Sequence, residues 1–398
     1  MFLRHVPFLK SVLLYAFTAF GGPQGHIGMM VRTFAQKRHY VTEEELLEYN
    51  AFCQMLPGPS STQTVMLIAM KRGGIPLAIF SLILWVLPAA LMMGFFSFLI
   101  YFNLARISPG LFAYIQPMSI GFICFAAARM MRTSVKHAAT WGIMLGSIVA
   151  TVFIRTPWIF PVLLVIAGII SNFSNKRIPD AHEKPKPIKW VNLWLFFLIF
   201  LAAGVVSELA RLGDWPYKRL YNLFENFYRF GGIVFGGGHS LMPMMYFQFI
   251  TRPEQPLITG QELLTGYGLV QAMPGPVFAI CTYVGGVIMS PAGGFMQLVG
   301  CAVATTAVFL PSTLLLFFLF PIYQNLRQHV MIYRSLEGIN AAIVGIIWAS
   351  GLVLFQGMPF NYTNLVVIAI TFSILYFTKI PAPFIVLGWL LLGWTMNI

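Results

Sequence analysis

The spacing of charges restricts this chain more than any other feature. Uncharged intervals run from 11 to 31, 49 to 70, 73 to 105, 107 to 128, 137 to 154, 156 to 175, 190 to 207 and 230 to 251, followed by 263 to 326, 338 to 378 and 380 to 398. Most match the ~20 apolar residues that carry a helix across a bilayer. Only 9% of the 398 residues are charged and 58% are hydrophobic, against about 25% charged in soluble globular proteins. A water-soluble domain is excluded, and the expected fold class is an all-α integral membrane protein.

Each single interval is read as one crossing. The two longest, interrupted at Ser290-Pro291 and at Gly357-Met358-Pro359, are read as two each, for 13 crossings in all, with 12 as the alternative. Arg4 and Lys10 precede an apolar run in which Phe17 to Pro23 offers no small-residue cleavage site, so this stretch is expected to remain as the first membrane element. The net charge of +13 forms no single stripe of the kind that binds nucleic acid. Basic residues gather at interval ends instead, with Arg129, Arg132 and Lys136 in one group and Lys176, Arg177, Lys184, Lys186 and Lys189 in another. Both groups fit cytoplasmic loops under the positive-inside rule. Counting outward from them places the N-terminus and Lys71-Arg72 inside, residues 32 to 48 outside and the C-terminus outside, in the cytoplasmic membrane. Cys53, Cys124, Cys281 and Cys301 form no Cys-x-x-Cys pair and have no His at ligand spacing. They are read as core side chains, and no metal or cofactor is expected.

The two halves of the chain repeat one another. Residues 44–59, EELLEYNAFCQMLPGP, and 261–276, QELLTGYGLVQAMPGP, share seven of sixteen positions without gaps, including Glu45/Glu262, Gln54/Gln271 and Pro-Gly-Pro. Upstream, FGGPQGHIGMM from Phe20 and FGGGHSLMPMM from Phe235 share five of eleven, and Leu87-Pro88 matches Leu310-Pro311 downstream with an insertion. The chain divides into a first repeat, 1–172, a basic Pro-rich linker with an intervening helix, 173–210, and a second repeat, 211–398. Each repeat is expected to hold about six helical elements. An odd number of crossings between equivalent points turns the halves over relative to each other. Inverted repeats with discontinuous helices are a common transporter plan, with the substrate held near the midplane between the repeats.

Phe-Gly-Gly and Pro-Gly-Pro make poor helix interiors, because Gly costs about 1 and Pro about 3 kcal/mol relative to Ala. Broken backbone at membrane depth must be buried in protein or line a cavity. Each motif precedes a further apolar run and is expected to begin a half-helix, with Pro59 and Pro276 at the first helical position. Four such N-termini, each worth about +0.5 charge, would together suit a dianion. The candidate binding residues are Gly21, Gly22, Pro23, His26, Gln54, Pro57, Gly58, Pro59, Ser60, Ser61, Thr62 and Gln63 in the first repeat. In the second they are Gly236, Gly237, Gly238, His239, Gln271, Pro274, Gly275 and Pro276. Gly58 and Gly275 are expected to admit close approach of backbone to the anion. Ser60 to Gln63 add side-chain donors that Val277, Phe278, Ala279 and Ile280 lack, so the repeats should bind unequally. Each motif also has a plainer reading as membrane-helix packing, and His26 and His239 serve equally as satisfied core groups. Glu45 is read as part of a solvated face, and Arg129 as snorkelling to the interface rather than touching ligand. Phosphate-loop, His-Glu-x-x-His and Gly-x-Ser-x-Gly motifs are all missing, so no enzyme is expected.

FGGPQGHIGMM, QMLPGPSSTQ with Arg72-Gly73-Gly74 and Leu87-Pro88, FGGGHSLMP and QAMPGPVFA together resemble the chromate ion transporter family in its long, two-domain form, over about residues 8 to 395. Gly25 stands where the family pattern has Ala, and residues 246 to 252 depart from its usual second-half sequence. The resemblance implies duplicated, oppositely oriented halves that export chromate, a tetrahedral dianion. Its signature positions fall at Phe20 to Pro23, His26, Pro57 to Pro59, Gln63, Phe235 to Gly238, Gln271 and Pro274 to Pro276. The expected partners are the bilayer and a small oxyanion, chromate or alternatively sulfate. A passive anion channel is the competing reading, nucleic acid is not expected, and a homodimer is left open.

Overall fold

The computed structural model describes residues 2–101, 110–173, 191–251, 256–322 and 330–396, so the basic group from Lys176 to Lys189 lies outside the described residues. Among those described every regular element is helical, in sixteen α-helices. In chain order they are α1 (Val6–Thr18), α2 (Gly22–Met30, continued by a π-helical turn, Val31–Lys37), α3 (Glu43–Gln54), α4 (Ser60–Tyr101), α5 (Ile115–Ser134), α6 (Ala138–Phe153), α7 (Ile159–Asn172) and α8 (Val191–Leu212). There follow α9 (Lys218–Ile233), α10 (Leu241–Phe249), α11 (Gly260–Ala272), α12 (Ile280–Met289), α13 (Gly294–Leu319), α14 (Val330–Gln356), α15 (Tyr362–Phe377) and α16 (Ala382–Met396).

The Glu45/Glu262 match has a local cause. Thr42 and Thr259 are the N-caps of α3 and α11, accepting from the amides of Glu45 and Glu262, and the Glu262 carboxylate returns to the Thr259 amide at 2.8 Å. That is a capping box, which satisfies donors the helix start leaves unpaired.

Four stretches read as crossings are re-entrant hairpins. α3 has 12 residues, about 18 Å at 1.5 Å per residue against the ~30 Å hydrocarbon core. It turns at Pro57-Gly58-Pro59, and the first arm of α4 brings Lys71 back to within 2.6 Å of the Glu45 carboxylate. There Gly73 and Gly74 leave helical geometry and kink α4. α1 and α2 form a second hairpin: Phe8 meets Tyr40 at 5.1 Å between ring centres, and the Arg72 guanidinium lies 4.3 Å above Tyr40. Residues 32 to 48 thus share an end of the molecule with Lys71 and Arg72, contrary to the expectation from charge spacing. In the second half, Phe227 on α9 meets Phe249 on α10 at 5.5 Å, and Tyr283 on α12 donates to the Glu262 carbonyl at 3.1 Å. Uncharged length does not distinguish one full helix from two half-helices.

The second arm of α4, with α5 to α8 and α13 to α16, runs from end to end. Four of these, Ser60–Leu99, Leu193–Leu212, Gly294–Leu319 and Arg334–Gln356, are long and apolar enough to cross a membrane by length and composition. Contacts between helix ends give the alternation: Asn172 with Ser335 and Arg132 with Tyr376 at the Lys71 end, Arg155 with Gln356 and Tyr114 with Trp389 at the other. Among the described residues nine traverses replace the thirteen expected. The second arm of α4 and the helices α5 to α8 separate equivalent points of the two repeats, which is still an odd number, so the inversion stands. The second arm of α4 and α13 lie antiparallel, with Ser97 3.4 Å from Gln297 and Gly94 facing Cys301. The inversion extends to α5 and α14. A β-carbon at Gly121 would meet Ile368 and Thr371, as one at Gly345 would meet Met144 and Ser147, and all three pairs are 224 residues apart (121/345, 144/368, 147/371).

Candidate functional site

The four chain breaks meet where the repeats cross. Each depends on backbone that L-residues avoid: φ is +87° and +68° at Gly21 and Gly22, +78° and +96° at Gly236 and Gly237, +107° at Gly58 and +103° at Gly275. The breaks are bonded reciprocally. The Gly58 amide donates to the Val234 carbonyl at 2.6 Å, just before Phe235-Gly-Gly-Gly, and the Gly275 amide donates to the Ala19 carbonyl at 2.9 Å, just before Phe20-Gly-Gly. A β-carbon at Gly58 would lie 2.3 Å from that of Ser312, and one at Gly275 would lie 2.9 Å from that of Ala89. Ser312 and Ala89 each follow the matched Leu-Pro. These glycines are therefore required by packing between repeats, in place of the close approach to an anion expected from sequence. Gly25 has a similar cause, since a β-carbon there would meet the Phe20 carbonyl at 2.4 Å.

α2, α4, the 3-10 turn Gly238–Ser240 leading into α10, and the turn Val277–Ala279 leading into α12 all start at the breaks. Pro59 and Pro276 stand one position earlier than expected, before the first helical residue, and Pro23 lies in the first turn of α2. The same breaks hold the C-terminal ends of α1, α3, α9 and α11. Each such end carries about −0.5 charge, so the sum near +2 expected from N-termini alone is offset, and attraction for an anion has to come from local donors and side chains.

In the first repeat most candidate donors are engaged within the protein. His26, 1% exposed, has Nδ1 3.1 Å from the Ser61 hydroxyl; Thr62 accepts from Trp85 Nε1 at 2.9 Å; and Gln63 Nε2 donates to the Pro57 carbonyl at 2.9 Å. Trp85 stacks on Tyr15, whose hydroxyl donates to the His26 carbonyl. The Ser60 carbonyl accepts from Thr64. Pro57, Gly58 and Pro59 are buried, while Gly21 and Gln54 are exposed.

The second repeat is arranged differently. Half-buried His239 hydrogen-bonds through Nδ1 to the Tyr267 hydroxyl, and Gln271, one turn along α11 from Tyr267, is 8% exposed with Nε2 unpartnered. Gly236 is exposed, Gly237 and Gly238 are buried, and so are Pro274, Gly275 and Pro276. Neither Tyr267 nor Trp85 carried a sequence signal, because an aromatic residue in an apolar helix reads as core. Among the described residues no His, Cys, Asp and Glu cluster could hold a metal. A pocket of about 480 Å³ lies apart from the breaks at the Lys71 end, between His39, Glu43 and Lys71.

α3 and α11 are equivalent but unequally covered. Leu264 is 2% exposed and its equivalent Leu47 is 46%. The Leu264 carbonyl accepts from Ser119 on α5 at 2.8 Å, and Gly268 faces Ile115 and Ser119, whereas Ala51 and Gln54 on the matching face of α3 are exposed.

Oppositely directed repeats whose broken helices interlock across a common interface define a membrane transporter of the inverted-repeat class. The profile described as chromate transporter matches residues 7–172 and again 221–394, and the chain belongs to that family. It is 25% identical over 384 residues to a chromate transport protein of Cupriavidus metallidurans, covering 94% of this chain and 88% of the relative. An uncharacterised transporter of Methanocaldococcus jannaschii is 25% identical over 393 residues, covering 96% and 92%. A chromate transport protein of Pseudomonas aeruginosa is 24% identical over 354 residues, covering 88% and 80%. No solved structure matches the chain. The family's members are transport proteins, not enzymes.

Proposed function

We propose that this protein exports a tetrahedral oxyanion, chromate before sulfate, across the cytoplasmic membrane by alternating access between its repeats, 1–172 and 211–398, with 173–210 as the connection. The candidate residues around the four breaks form the binding region. The observation that carries the reading is the unequal covering of two equivalent helices. α11 is seated on α5 and α3 is not, which is the arrangement of a carrier closed at the Glu262 end and open at the Lys71 end. Arg4, Lys10, Arg38, Lys71, Arg72, Arg132, Lys136, Arg334 and Lys379 belong to the Lys71 end. Of the described basic residues, Arg155, Arg211, Lys218, Arg219 and Arg229 belong to the other. The positive-inside rule makes the Lys71 end cytoplasmic, with the N-terminus inside and the C-terminus outside.

Direction follows from charge. Each elementary charge is worth about 2.3 kcal/mol per 100 mV, so an inside-negative potential favours expulsion of a dianion by about 4.6 kcal/mol. Uptake of radiolabelled chromate into inverted vesicles, with an imposed interior-positive potential and sulfate as competitor, tests the proposal. Saturable, potential-driven uptake that sulfate barely inhibits is the expected result. Preferential sulfate uptake would reassign the substrate, and flux without saturation or counterflow would make the protein a channel.

A further inference from the structure

Resting on that reading, we infer that Arg129 is the cation that recognises the charge of the transported oxyanion at the second-repeat break, which also holds His239 and Gln271. Arg129 projects from α5 one turn before Arg132, which is tied to Tyr376 near the end of its helix. No carboxylate or hydrogen-bond acceptor engages Arg129 among the described residues, and its guanidinium meets only the Phe125 ring, at 5.8 Å. Its neighbour Met130 packs on the break itself, where a β-carbon at Gly236 would come within 2.9 Å of the Met130 methyl. His239, three residues after Gly236 in the same break, is bonded to Tyr267. Gln271 follows Tyr267 by four residues, on the same face of α11, and holds out an unpartnered, buried N–H donor.

The chemistry of this cluster is that of an anion site: a fixed charge, a neutral amide donor and no acid. Arg129 is exposed on its helix, and an uncompensated guanidinium on a membrane-spanning helix is a functional-site candidate. Its planar fork can give a tetrahedral oxyanion two parallel hydrogen bonds. The offset of 224 residues relating α5 to α14 puts Val353 at the equivalent place in the second repeat. Only one side of the interface therefore carries the charge.

The test is chromate uptake into inverted vesicles by wild type, Arg129→Gln, Arg129→Lys and, as control, Arg132→Gln, with the amount of folded protein measured by size-exclusion chromatography. Arg129→Gln is expected to raise KM about 30-fold or more, equivalent to about 2 kcal/mol at 1.4 kcal/mol per tenfold. Arg129→Lys should raise it several-fold with little change in the maximal rate, and Arg132→Gln should leave KM unchanged. A wild-type KM in Arg129→Gln would overturn the assignment and make Arg129 a snorkelling residue. Should Arg129→Gln fail to fold, Arg129→Lys decides, since a structural role would lower the amount of protein and leave KM alone. If wild type moves no chromate, the proposed function has failed rather than the role of Arg129.

Discussion

Gly58 and Gly275 illustrate how a motif can be read correctly and explained wrongly. Both take left-handed φ, and a β-carbon at either would collide with the opposite repeat. Gly58→Ala is expected to destabilise the protein by about 3 kcal/mol, combining about 1–2 for the dihedral with about 1–3 for overpacking against Ser312. Gly22→Ala, whose β-carbon would meet nothing within 4 Å, should cost only the dihedral part. Melting temperatures of the purified variants check this, and the model of reciprocal packing fails if Gly22→Ala proves the worse of the two. His26 is the contrasting case. It is legible as a site candidate, but its bond to Ser61 and its burial beside Trp85 make it part of the wall that orients the first break.

Among the elements, hairpins and full traverses differ in where their ends emerge, which hydropathy does not encode. The ion pair between Lys71 and Glu45 and the placing of Arg72 over Phe8 and Tyr40 settle it in favour of hairpins. Single cysteines at Glu44 and Lys71 should therefore react with an impermeant thiol reagent from one and the same face of the membrane. A cysteine at Asp214 should react from the opposite face. Labelling of Glu44→Cys and Lys71→Cys from opposite faces would restore a crossing between them. Background is low once partly exposed Cys124 is replaced by Ser, because Cys53, Cys281 and Cys301 are buried.

For the whole molecule, the repeat relation supplies the conformation that this structure does not display. Gly268 on α11 faces Ile115 on α5, and the equivalent pair is Ala51 on α3 with Ile339 on α14. Ala51→Cys paired with Ile339→Cys is expected to cross-link during turnover and arrest transport until the bond is reduced. A cross-link that never forms, or forms only between two copies of the chain, would refute closure of α3 on α14. The linker between the repeats needs no part in this, since the moving surfaces lie on the hairpins and on α5 and α14.

Charge spacing, composition and the two matched motif sets were enough to establish an all-helical membrane protein, a duplication, its inversion and the chain breaks. Those properties are written in local periodicity and in residues such as Gly and Pro that act on their own backbone. Thirteen crossings, the placement of residues 32 to 48 on the opposite side from Lys71 and Arg72, and a net positive dipole at the breaks did not survive. Each depended on where distant segments end up. Tertiary structure alone decided that Gly58 reaches Val234 and Gly275 reaches Ala19, that α11 is covered while α3 is open, and that Met130 packs on Gly236. Such contacts join residues more than a hundred positions apart, and their energy resides in packing and hydrogen bonds that no stretch of sequence contains by itself.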